Sequence, residues 1–89
     1  MKSNELHLVV GGAGCIGSEL VGALLRQGQR VRVLDNLSSG RIEHIAEFED
    51  NPSFEFMEGD LMALSRYPAL KCVDMVWHLA AKTDIKFTP

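Results

Sequence analysis

Leu8-Val9-Val10-Gly11-Gly12-Ala13-Gly14-Cys15-Ile16-Gly17-Ser18 decides the reading of this chain. An apolar run leads into glycines at positions 11, 14 and 17, a helix-forming pattern follows, and Asp35 ends the next apolar run. That order is the strand, tight turn and helix of a dinucleotide-binding unit. Gly11 serves the turn, which demands backbone angles most residues avoid. Gly14 carries no side chain, so main chain can approach a diphosphate, and Gly17 lets the helix lie close to the sheet. The first-turn amides lack intrahelical acceptors and, with the aligned peptide dipoles, favour an anion.

The surrounding pattern supports a parallel sheet. Leu6 to Val10 reads as a central strand interrupted only by His7, and Ile16 to Gln27 as a helix with Ile16, Leu20, Ala23, Leu24 and Gln27 on its apolar face. Gly28 sits where a left-handed helix stop belongs. Arg30 to Asp35 forms the second strand, with Val31 and Val33 opposite Arg30 and Arg32. After the turn at Asn36-Leu37-Ser38-Ser39-Gly40, a helix of about ten residues is expected, with Ile42, Ile45, Ala46 and Phe48 inward and Asn51-Pro52-Ser53 ending it. Phe54 to Glu58 is the third strand, Leu61 to Tyr67 a short helix, and Val73 to Leu79 the fourth strand. Alternation of this kind predicts an α/β fold with strand order 3-2-1-4 and a crevice between strands one and four. A complete fold of this type has about six strands. The expectation is therefore that residues 1–89 are the N-terminal part of an NAD-binding Rossmann domain, truncated after strand four, which is left as an unprotected apolar edge.

Composition narrows the classes. The 89 residues are 46% hydrophobic and 24% charged, with a net charge of −3 and a pI near 5.5. These are globular values, and the acidic balance argues against a nucleic-acid surface. No apolar run approaches the ~18 residues of a membrane span. The polar start Met1-Lys2-Ser3-Asn4-Glu5 does not resemble a signal peptide, and Cys15 and Cys72 form no metal-ligand cluster. The chain reads as cytoplasmic, with free thiols and no metal.

The candidate cofactor residues each have a bland alternative. Asp35, at the roughly 20-residue offset expected of the ribose acid, can accept both ribose hydroxyls and repel a 2′-phosphate, favouring NAD over NADP; otherwise it is a turn aspartate. Asn36, Leu37 and Gly40 either add contacts beside the ribose or form a plain surface turn. Asp60 with Leu61 can meet adenine, or Asp60 caps the short helix. Leu79, Ala80 and Ala81 leave room for the nicotinamide half, and Lys82 reaches the cofactor or faces solvent. Gly11, Gly14, Cys15, Ile16 and Gly17 form the diphosphate turn; the Cys15 thiol reads as packing and not as a reactive group. His78, inside an apolar strand, reads as a packed, hydrogen-bonded core histidine. Glu47, Glu49 and Asp50 read as a solvated cluster.

Val10 to Ser18, Leu34-Asp35-Asn36-Leu37-Ser38-Ser39-Gly40, Gly59-Asp60-Leu61 and Val76-Trp77-His78-Leu79-Ala80-Ala81 together resemble the extended short-chain dehydrogenases/reductases. The sugar-nucleotide epimerase/dehydratase group is the nearest branch, and the likeness covers almost the whole chain. It implies a tightly held NAD that takes a hydride from a sugar carbon and usually returns it, a nucleotide-sugar substrate, a C-terminal substrate domain and a homodimer. Carried onto this chain, it places the diphosphate on the glycine turn, the ribose on Asp35 and Asn36, adenine on Asp60 and Leu61, and the inner cofactor path along Leu79 to Ala81. Valine at position 10 and cysteine at 15 depart from the family's frequent threonine and aromatic, without removing a phosphate-binding amide. The family's catalytic Ser/Thr and Tyr-x-x-x-Lys are expected beyond residue 89. Tyr67 and Lys71 share that spacing, but Pro68 and a position ahead of strand four mark it as coincidence. The piece alone is expected to bind cofactor weakly and turn nothing over. Two other readings stay open: a non-enzymatic NAD sensor, distinguished by the absence of a downstream Tyr-x-x-x-Lys, and a reductase or steroid-type dehydrogenase acting on a substrate without a nucleotide.

Overall fold

β1 (Leu6–Val10) is the centre of the molecule, with every residue buried. In the computed structural model, which describes residues 4–11, 13–37, 41–59 and 71–79, β1 is flanked by β2 (Arg30–Asp35) and β4 (Met75–His78). β3 (Phe54–Glu58) lies outside β2, giving one parallel sheet of order β3-β2-β1-β4. This is the Rossmann-type order expected from the alternating pattern. Side-chain alternation then sorts the two faces. Val9, Val31 and Val33 meet Val21 and Leu24 of α1 (Cys15–Arg26) on one face, while Leu8, Val10 and Leu34 are buried on the other.

The ends of these elements are tied by specific groups. β1 receives the Asp74 carboxylate at the Leu6 amide (2.8 Å) and the Gln29 side-chain oxygen at the Glu5 amide (2.8 Å). α1 closes in a Schellman turn: Gln29 N–H bonds Leu24 C=O at 3.0 Å and Gly28 N–H bonds Leu25 C=O at 3.1 Å. Gly28 adopts φ +83°, and a Cβ there would meet none of the described residues within 4 Å. The cost of Gly28→Ala is therefore conformational alone, and denaturant unfolding should show a loss of about 1 kcal/mol.

Several expectations need correction. Residues 41–50 do not form one helix; they form two 3-10 turns, Ile42–His44 and Ala46–Phe48. Ile42, Ile45 and Phe48 recur every third residue, the period of a 3-10 turn and not of an α-helix. Ile45 is buried in the α1-side core and Phe48 packs against it, seated beside Gly22, where a Cβ would come within 3.3 Å of its ring. Ile42 is 46% exposed and Ala46 is exposed, so neither belongs to the inward side. α1 begins at Cys15, one residue early, and ends at Arg26, one residue early. Ile16 is 64% exposed because it faces away from the sheet at the helix start. β4 is shorter than expected, and Met75 and Val76 on it are exposed at the sheet edge.

His78 does not take the core role expected of it. His78 is exposed, because it lies opposite Val10 on the edge strand, on the face away from α1. His7 is the fully buried one, stacked on Trp77 with ring centroids 6.2 Å apart. Trp77 Nε1–H donates to His7 Nδ1 at 3.0 Å. The proton of neutral His7 is then on Nε2, which has no hydrogen-bond partner among the described residues; the nearest carboxylate oxygen, of Glu5, is 3.9 Å away.

Candidate functional site

The carboxyl ends of all four strands come to one edge of the sheet, where a parallel open sheet offers its binding crevice. The register sets Val10 beside Leu34 and His78, and Asp35 beside Glu58. β1 is the switch point, with β2 on one side and β4 on the other. The glycine turn rises from this point. Gly11 adopts φ +88°, a conformation glycine reaches without strain, and its N–H bonds Leu34 C=O at 2.8 Å.

The turn leaves α1 with an open N-terminus. Gly14 is the N-cap residue, and among the described residues no side chain caps the helix. The first intrahelical bond runs from Ser18 N–H to Gly14 C=O at 2.8 Å. Cys15, Ile16 and Gly17 precede it, and their amides have no acceptor among the described residues. The first turn contains no acidic residue to satisfy the dipole from within. Gly17 is buried. Among the described residues, a Cβ added to Gly14 would meet only Gly11 O, at 3.7 Å, which leaves room beside them for a side chain. The space fits an approaching anion.

Asp35 is more deeply engaged than its expected role required. It is 9% exposed, and its Oδ2 accepts the Ala13 amide at 3.0 Å while Oδ1 accepts the Leu37 amide at 2.7 Å. One carboxylate thus joins the end of β2 to the glycine turn and to the next loop. A carboxylate has about four acceptor positions, and the described residues use two of them. Leu37 takes φ +63° within this Asx-type turn and packs its side chain on the α1-side core. Asn36 is exposed beside it. Leu79 follows β4 at the same edge, its N–H bonded to Val10 C=O at 2.9 Å.

Two residues in this network escaped the sequence reading. Ala13 is fully buried; its N–H goes to Asp35, and its C=O accepts Arg41 N–H at 3.1 Å and His44 Nδ1 at 2.7 Å. Position in a glycine-rich run was the available signal for Ala13; His44 had none. Cys15 is exposed, so its thiol does not pack as expected: the first helical residue points off the sheet. Glu47, Glu49 and Asp50 are exposed, as a solvated cluster should be. Gly40, Asp60, Leu61, Ala80, Ala81 and Lys82 lie outside the described residues. Among the described residues no three His, Cys, Asp or Glu side chains gather for a metal, and no helix is long and apolar enough to cross a membrane.

The family model of the NAD dependent epimerase/dehydratase family matches residues 7–88, nearly the whole chain. The chain belongs to that family. Among epimerase/dehydratase relatives, UDP-glucuronic acid decarboxylase 4 of Arabidopsis thaliana is 39% identical over 93 residues, which take in 100% of this chain and 20% of the relative. UDP-glucose 4-epimerase of Mycolicibacterium smegmatis is 42% identical over 81 residues, or 89% of this chain and 26% of the enzyme. A dTDP-glucose 4,6-dehydratase from Bacillus anthracis, solved in complex with NAD, superposes with a TM-score of 0.77 at 26% identity, over 91% of this chain and 28% of that one. The chain thus spans about a fifth to a quarter of the length of these family members.

Proposed function

We propose that this chain is the NAD-holding N-terminal part of a nucleotide-sugar epimerase, dehydratase or decarboxylase. The observation that carries the reading is the joint geometry of an α1 N-terminus that no described side chain caps and the buried Asp35 carboxylate, fastened together through Ala13 at the switch point of the sheet. NAD, when bound, supplies a hydride acceptor and donor. The chain's own residues do the holding: the amides of Cys15 and Ile16 receive the diphosphate, and Asp35 receives the adenosine ribose. A 2′-phosphate would meet the Asp35 charge, so the unphosphorylated dinucleotide is preferred.

The relatives named above act on UDP- and dTDP-linked sugars by their names, which makes a nucleotide sugar the substrate class proposed for the whole protein. Proton transfer is assigned to the family's Ser/Thr and Tyr-x-x-x-Lys, outside residues 1–89. The protein is further proposed to be a cytoplasmic homodimer. Calorimetric titration of the full chain tests the binding reading: NAD should bind at least about tenfold more tightly than NADP, a difference of roughly 1.4 kcal/mol or more. Equal affinities, or no saturable binding of either, would contradict it.

A further inference from the structure

We infer that His44 is a positioning residue for the diphosphate turn, acting through the Ala13 carbonyl; this rests on the NAD-holding reading above. Three of the four residues from Gly11 to Gly14 are glycine. Such a turn approaches a ligand closely, yet nothing in its own side chains fixes its shape, and glycine loses the most backbone freedom on ordering. The shape must be set from outside.

Ala13 is where that is done. Its N–H is held by Asp35 Oδ2 at 3.0 Å, and both lone pairs of its C=O are used, by Arg41 N–H at 3.1 Å and His44 Nδ1 at 2.7 Å. A carbonyl only accepts, so His44 Nδ1 carries the proton. The peptide unit is planar and trans, so the direction of Ala13 C=O sets the opposed direction of Gly14 N–H. Gly14 is the N-cap residue of α1. Among the described residues its N–H meets only Gly11 O, at 3.3 Å. Orienting Ala13 C=O therefore orients the entry to the helix whose amides face the diphosphate. The clamp comes from the 3-10 turn after β2, so a segment outside the glycine turn prepares the diphosphate site.

The test uses side-chain length. Asparagine carries its Nδ2 donor two bonds beyond Cβ, as histidine carries Nδ1, whereas leucine has similar bulk and no donor. In calorimetric titrations of the full chain with NAD, His44→Leu should bind about tenfold more weakly than wild type, the equivalent of one lost hydrogen bond. His44→Asn should restore affinity to within about threefold, whatever the two melting temperatures do. Should the leucine variant fail to fold, His44→Gln serves instead, because its donor is displaced by one bond and a loss is again expected. Wild-type affinity in the leucine or glutamine variant would overturn the inference, as would an asparagine variant as weak as leucine. A wild-type protein that does not bind NAD would instead contradict the functional reading on which the inference stands.

Discussion

Alanine in place of Asp35 is expected to weaken NAD binding by at least about a hundredfold, since two charge-assisted hydrogen bonds to the ribose at about 1.5 kcal/mol or more each are lost. The same substitution should also cost stability. The Ala13 amide is buried against Asp35 Oδ2, and the half-buried Leu37 amide bonds Oδ1. Without the carboxylate the Ala13 N–H has no acceptor in a buried setting, a loss of about 1–3 kcal/mol. Asp35→Asn separates the parts of this argument. The amide keeps the shape but offers a single acceptor oxygen, so one of the two main-chain N–H groups must face an NH2 group. Denaturant unfolding should place its stability between wild type and alanine. Its preference for NAD over NADP should shrink along with the lost charge. Retention of full affinity by Asp35→Ala would show that the carboxylate serves only the turn.

Gly14→Val is expected to abolish tight NAD binding while leaving the fold nearly intact. Gly14 has φ −81° and ψ 174°, an extended conformation that β-branched residues adopt readily. Among the described residues a Cβ there meets only Gly11 O, at 3.7 Å. The cost to stability should be no more than about 1 kcal/mol, from exchanging glycine for a poor N-cap residue. The diphosphate, however, needs the space that the isopropyl group would fill. Losing its bonds to two helix amides corresponds to about a hundredfold or more in affinity. Thermal melting and NAD titration on one preparation check both halves. A variant that binds normally would place the diphosphate elsewhere.

The frame of this molecule was readable because its strands are buried in a way that leaves a plain record. Leu6 to Val10 is covered on both faces, so it appears as an apolar run, and the Arg32-Val33 alternation in β2 matches one half-open face. The glycines and Asp35 were readable because each answers a local backbone or charge requirement. What sequence could not show was the wiring between segments. His44 bonds a main-chain carbonyl 31 positions away, and such a contact leaves no pairing of side-chain types to detect. The segment after Arg41 misled because apolar residues spaced by three and four look alike over one or two turns; only packing against Gly22 distinguishes them. His78 misled because an edge strand can carry an apolar sequence and still expose it. The buried histidine was instead His7, in the strand whose single polar residue stood in plain view, partnered by a tryptophan 70 positions away.

A crystal structure of the full chain grown with NAD tests the central claim most directly. The account predicts diphosphate oxygens about 3 Å from the Cys15 and Ile16 main-chain nitrogens and the adenosine ribose hydroxyls at the same distance from the Asp35 carboxylate. A dinucleotide seated away from the 11–17 turn, or bound there with its ribose remote from Asp35, would contradict it.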